Sequence, residues 1–124
     1  MPYINLKTTK ILKDDEKSAL SREFGKAIEC FPGKTERWLM VNIEGGASMW
    51  MAGDNSTDCA MLEVSLLGHA GNKVYDDMSA ALCSVMENVS GIAPSRVYIK
   101  YAETEHWGFN GGNFLQDFII TADW

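Results

Sequence analysis

The chain has 124 residues, 46% hydrophobic and 23% charged, which is the size and composition of one folded domain and excludes wholesale disorder. Seventeen acidic residues against 11 basic ones leave a net charge of −6, which argues against nucleic acid or an anionic lipid surface as a partner. No apolar run approaches the ~18 residues of a membrane span, and the opening apolar stretch is too short for a secretory signal, so a leaderless soluble protein is expected.

In chain order, Tyr3-Ile4-Asn5-Leu6 predicts a strand from its alternating apolar positions. Asp14, Asp15 and Glu16 give helix-start chemistry, with an Asp as cap and an acidic first turn that suits the helix dipole. Ala19, Leu20, Phe24, Ala27 and Ile28 then form one apolar helical face, and Pro32-Gly33 ends the helix. Residues 38–43 predict a second strand that includes Trp38. Residues 44–48 predict a turn, 49–52 a short edge strand, and 53–57 a polar loop. A similar order then returns. Residues 59–67 predict a strong, mostly buried strand, and 68–72 a break. Val74, Met78, Ala81, Leu82, Val85, Met86 and Val89 predict a second amphipathic helix that stops at Ser90-Gly91. Residues 96–101 predict another alternating strand.

The β-α-β order therefore occurs twice, and two such units can share one four-stranded sheet with both helices on one face. The expected fold class is α+β, a two-layer domain with a mixed sheet. That arrangement leaves a sheet face bare. Tyr3, Trp38, Met40 and Met61 cannot all be covered in a two-layer monomer, so oligomerisation is expected.

Cys30, Cys59 and Cys83 are far apart and show no C-x-x-C or Cys/His spacing, so three reduced thiols and no zinc or redox site are expected; His69 and His106 are not spaced as a metal pair. Pro2 is the most informative residue. Removal of Met1 would make proline the terminus, with a secondary amine. An α-amino group titrates near ~8, and an apolar pocket or a neighbouring cation pulls that value toward neutrality, where a free amine serves as a general base. The plain reading of Met-Pro is a stiff start to an edge strand.

Further motifs weigh against that plain reading. Pro32-Gly33-Lys34 precedes the aromatic Trp38 by four residues, and Ser65-Leu66-Leu67-Gly68 ends the third long strand. Pro94-Ser95-Arg96-Val97-Tyr98-Ile99-Lys100-Tyr101 is followed by Trp107-Gly108-Phe109-Asn110-Gly111-Gly112-Asn113-Phe114. In this order and spacing, over about the first 114 residues, the chain resembles the tautomerase superfamily, specifically its macrophage migration inhibitory factor and D-dopachrome tautomerase branch. The resemblance implies a single domain over 1–124, a homotrimer with active sites between subunits, and a cofactor-free keto–enol tautomerase acting on small aromatic α-keto acids such as phenylpyruvate, or on dopachrome-type compounds.

By the same resemblance Pro2 is the base and Lys34 meets the substrate carboxylate. Leu67 stands where a backbone group contacts substrate, and Trp38 at the pocket rim. Tyr98 matches a pocket tyrosine supplied by the neighbouring subunit; a strand tyrosine in the core is the alternative. Phe109 stands where relatives often carry a tryptophan, and Phe114 matches a gate phenylalanine. Lys100 replaces an asparagine of mammalian relatives, and either strengthens carboxylate binding or points to solvent. Relatives carry a C-x-x-C; here Leu62 stands at its second cysteine position, so a two-cysteine redox activity is not supported. Residues 115–124 extend past the usual family end, with packing on a neighbour, cover over the pocket mouth, or a frayed tail as the readings. The alternative function is a cytokine or cytokine mimic binding a cell-surface receptor, exported without a signal peptide rather than staying cytoplasmic.

Overall fold

The computed structural model describes residues 1–115. Of the expected extension over 115–124, Leu115 alone falls among them; the readings of that segment lie outside the described residues. The elements in chain order are β1 (Pro2–Thr8), α1 (Asp14–Ala27), β2 (Met40–Glu44), β3 (Ala60–Leu67), α2 (Asn72–Val85), β4 (Val97–Thr104), β5 (His106–Phe109) and β6 (Gly112–Leu115). The four long strands form one mixed sheet in the order β2-β1-β3-β4. Each β-α-β unit contributes a parallel pair, β1 with β2 and β3 with β4, and the two units join through the antiparallel pair β1–β3. The four-stranded mixed sheet with its two helices is thus as the sequence predicts.

Alternation in β1 and β3 explains the layering. Ile4, Leu6, Leu62, Val64 and Leu66 point to one face and are fully buried, against Leu20 and Phe24 of α1 and Met78 and Leu82 of α2. Burial of each such side chain stabilises the fold by roughly 1.5–3 kcal/mol. The start of α1 differs from expectation in its cap. Lys13 occupies the cap position, and the Glu16 carboxylate accepts the Lys13 backbone N–H at 3.1 Å, so the reaching-back half of a capping box replaces an Asp cap. After α2 the chain continues through a π-helical turn over Met86–Ser90 and stops at Gly91, whose φ of 72° is left-handed.

The open face follows from strand register. Its three rows read Met40–Tyr3–Ser65–Ala102, Asn42–Asn5–Glu63–Lys100 and Glu44–Lys7–Met61–Tyr98. The middle row is polar, with the Asn42 side-chain amide donating to Asn5 Oδ1 at 2.8 Å. The bare apolar face expected from the sequence is therefore mixed: Tyr3, Met40 and Met61 lie on it with this polar row between them, and Trp38 does not.

Trp38 belongs to a 3-10 turn over Glu36–Trp38, and β2 begins two residues later. Residues 49–52 form no edge strand. Met51 and Asp54 close a tight turn through reciprocal backbone hydrogen bonds of 3.0 Å, with Ala52 and Gly53 at positive φ. Arg96 fastens this loop, donating to the carbonyls of Met51 (3.1 Å), Asp54 (3.2 Å) and Thr57 (2.7 Å). The hairpin β5–β6 was not among the predicted strands. Asn110 and Gly111, with φ of 52° and 78°, form its two-residue turn, a geometry that suits the twist of the flanking strands.

Candidate active site

Pro2 is buried at the start of β1, level with Leu66 on β3. The residue before it reaches the sheet end, where Met1 O accepts the Leu67 backbone N–H at 3.2 Å. Beside it lies Lys34, carried there by the turn after α1. Phe31 is fully buried and its carbonyl accepts the Lys34 backbone N–H at 3.0 Å; Gly33, with φ of 79°, then reverses the chain. The Lys34 side chain is only 6% exposed. Its ammonium donates to Leu67 O at 2.9 Å and also to the terminal amine.

The electrostatic consequence is large. Burial first, then the Lys34 charge and its hydrogen bond, bring the Met1 amine down to about 5 from an ordinary value near 8. Burial also lowers the Lys34 ammonium from the usual lysine range, and its hydrogen bond to the terminus opposes that shift. Among the described residues this cation, held 6% exposed, has two neutral hydrogen-bond acceptors and no carboxylate, and desolvation of an ammonium is offset well only by a negative partner.

Two cavities meet at Met1 and Trp38. One, of about 430 Å³, is lined by Lys34, Leu67, Asn113 and Phe114. The other, of about 880 Å³, runs past Pro2 along the open end of the sheet and is lined by Arg37, Ser65, Thr104, His106, Trp107 and Phe109 among others. Aromatic rings border both. Trp38 and Phe109 meet edge-to-face at 5.6 Å, Phe109 lies 6.1 Å from Phe114, and the Arg37 guanidinium sits 5.0 Å over the Trp38 ring.

The structure thus brings together Pro2, Lys34, Leu67, Trp38, Phe109 and Phe114. Tyr98 and Lys100 stand apart. They lie on the open sheet face, and Tyr98, 65% exposed, is not the core residue that was its alternative. Tyr98 is five residues along β4 from Glu103, which is level with Leu66, a separation of roughly 16 Å. Sequence reasoning did not single out Arg37, Thr104 or His106 as cavity residues. Thr104 was missed because apolar alternation in β4 stops at Tyr101 while the strand continues; the Asn110-Gly111 pair was the available signal that His106 lies in a hairpin.

A buried cation beside the chain terminus lies at the edge of a mixed sheet that joins two β-α-β units, and that fold is shared with known proteins. The sequence profile of macrophage migration inhibitory factor (MIF) matches residues 1–115, and the chain belongs to that family. A macrophage migration inhibitory factor homolog of Brugia malayi is 26% identical over 116 residues, covering 92% of this chain and 99% of the relative. The crystal structure of the homologue from Prochlorococcus marinus superposes with a TM-score of 0.79 at 27% identity, covering 90% of this chain and 98% of that one. Leishmania major MIF2 shares the fold with a TM-score of 0.84 at 24% identity, over 92% and 97% of the two chains. Membership supports a tautomerase, an isomerase, or a MIF-like role in general, and the family is generally homo-oligomeric. Among the described residues no helix is long and apolar enough to cross a membrane.

Proposed function

We propose that the protein is a keto–enol tautomerase of phenylpyruvate-like 2-oxo acids, with the nitrogen of Pro2 as the base once Met1 is removed. One observation carries this reading: the Met1 amine lies against the buried Lys34 ammonium, for which no carboxylate partner is found among the described residues, and it is brought down to about 5; the Pro2 nitrogen, next along the chain, would meet the same burial and the same cation once Met1 is gone. Such an amine is uncharged at neutral pH and free to take a proton from carbon. The Lys34 ammonium is placed to receive the substrate carboxylate and to stabilise the enolate that develops next to it. Removal of Met1 acts twice in this scheme. It exposes the Pro2 nitrogen, and it releases the Leu67 N–H and the Lys34 ammonium from Met1 for a substrate. Trp38, Phe109 and Phe114 supply ring surfaces for an aryl group.

The proton leaves the substrate α-carbon for the proline nitrogen as the carbonyl oxygen gains charge, and protonation of that oxygen completes the enol; ketonisation runs the same steps in reverse, with the proline ammonium returning its proton to carbon. Tyr98 and Lys100 enter this site from a neighbouring subunit of a homotrimer, Tyr98 to orient the substrate oxygen and Lys100 to add positive charge. The test is enolisation of phenylpyruvate followed by ultraviolet absorbance. The mature chain is expected to turn over, with kcat/KM rising with pH through a pKa below about 8. A chain with Met1 retained or a tag on Pro2 is expected to lose about 10²–10⁴-fold in kcat/KM while its Tm holds. Full activity from the blocked chain would overturn the mechanism. The alternative, receptor binding as a MIF-like signal, rests on family membership alone; receptor binding that is indifferent to Pro2→Gly, in a protein without turnover, would favour it.

A further inference from the structure

Lys34 is held from two directions, and both lead to the same pair of side chains. Its ammonium is anchored on Leu67 O, the last residue of β3. The break that follows Leu67 is fastened by two consecutive residues of β4. Thr104 O accepts the Gly68 N–H at 3.0 Å, and Glu103 Oε2 accepts the Ala70 N–H at 3.1 Å. The same Glu103 oxygen accepts the hydroxyl of Tyr75, from the first turn of α2. Desolvation and this acceptor together raise the Tyr75 hydroxyl above the ordinary phenol range, so it stays a donor at every working pH. From the other side, the Tyr75 ring packs edge-on against Phe31 at 5.5 Å, and Phe31 O holds the Lys34 backbone. The carboxylate–phenol pair therefore braces both the acceptor that anchors the ammonium and the turn that carries it.

We propose that Glu103 and Tyr75 are positioning residues, which act through the Lys34 ammonium by holding it at its place beside the amino terminus. The consequences for turnover rest on the tautomerase reading; the consequence for the terminal amine does not. The charged and titratable groups that face the terminus are Lys34 from the turn after α1, and Arg37, Glu103 and His106, which line the adjoining cavity. Their signs separate two roles for Glu103. If it acts by holding the break in place, its loss lets Lys34 and water shift, and the terminal amine rises toward its ordinary value of about 8. Acting only as a nearby negative charge, its loss would lower the terminal amine further.

The experiment is an NMR titration of the terminal nitrogen in the mature protein, from which Met1 has been removed, for wild type, Glu103→Ala, Glu103→Gln and Tyr75→Phe, with KM for phenylpyruvate measured alongside. The Glu103→Ala chain is expected to show a raised terminal pKa and a KM increased roughly tenfold, as a displaced anchor demands. In Glu103→Gln the amide oxygen can accept from both Ala70 and Tyr75, so this variant should remain close to wild type. Tyr75→Phe should move the pKa in the same direction as Glu103→Ala, by less. An unchanged or lowered terminal pKa in Glu103→Ala and Tyr75→Phe, with only Tm reduced, would overturn the proposal. Should Glu103→Ala fail to fold, Tyr75→Phe alone decides by the same reading. A wild-type chain without turnover would sink the tautomerase reading and leave the titration to decide the positioning role.

Discussion

Lys34 concentrates the tension of the site in one side chain. Its ammonium is almost fully buried, yet its hydrogen-bond acceptors are a backbone carbonyl and an amine, neither of them an anion. Such a group weakens the fold by its desolvation and gains by meeting a carboxylate, so stability and binding pull in opposite directions. Lys34→Met keeps the length and apolar stem of the side chain and removes the charge. The Lys34 charge is the second cause that depresses the Met1 amine, so without it the terminal amine of the mature chain is expected to rise toward its ordinary range. The pH profile of kcat/KM, measured on the variant and wild type, is expected to shift to higher pH by the same sense, with KM raised more than kcat is lowered. Tm is expected to hold or increase. A lower Tm with an unshifted profile would show that the lysine serves packing rather than charge.

At the scale of elements, what was legible in the sequence is what periodicity encodes. Alternation at Ile4 and Leu6 and at Leu62, Val64 and Leu66 marks the two central strands, and the 3.6-residue spacing of Leu20 and Phe24, or of Val74, Met78 and Leu82, marks the helices. Segments governed by local backbone geometry were less legible. Trp38 looks like the first residue of an apolar strand, but the 3-10 turn at Glu36–Trp38 diverts its ring to the cavity rim. Met49, Trp50 and Met51 look like an edge strand, but Ala52 and Gly53 at positive φ close a turn from Met51 to Asp54, and no strand forms over 49–52. That loop is secured from outside by Arg96, whose guanidinium meets the backbone carbonyls of Met51, Asp54, Thr57 and Asp58, contacts that no sequence pattern announces. Removal of those donors leaves carbonyls in part-buried surroundings, and the cost of such groups is about 1–3 kcal/mol in total at this exposure. Arg96→Ala is expected to reduce stability by that amount in chemical denaturation and to open residues 51–58 to proteolysis. Arg96→Lys should recover little, since one ammonium cannot reproduce the fork. Equal protease resistance in wild type and Arg96→Ala would show that the turn holds itself.

The whole molecule poses a different question, because the residues that the family resemblance assigns to one pocket occupy two regions of a single chain. Pro2, Lys34 and Leu67 gather at one end of the sheet, while Tyr98 and Lys100 face outward from the open side. That side also carries Met40 at 68% exposure and Tyr3, so a neighbouring copy would cover apolar surface there and bring Tyr98 toward another chain's terminus. The polar middle row, Asn42–Asn5–Glu63–Lys100, gives such an interface directional contacts rather than a greasy one. A cyclic trimer in which each site takes Pro2 from one chain and Tyr98 from the next makes a quantitative prediction. Pro2→Ala and Tyr98→Ala are each expected to be inactive as pure assemblies. When the two are unfolded, mixed in equal amounts and refolded, each site has an even chance of an intact Pro2 and an even chance of an intact Tyr98 from its neighbour. About one quarter of wild-type activity should therefore return if assembly is random. Activity that stays at the level of the pure variants would mean that Tyr98 acts, if at all, within its own chain, across a separation that the present geometry makes too long for contact.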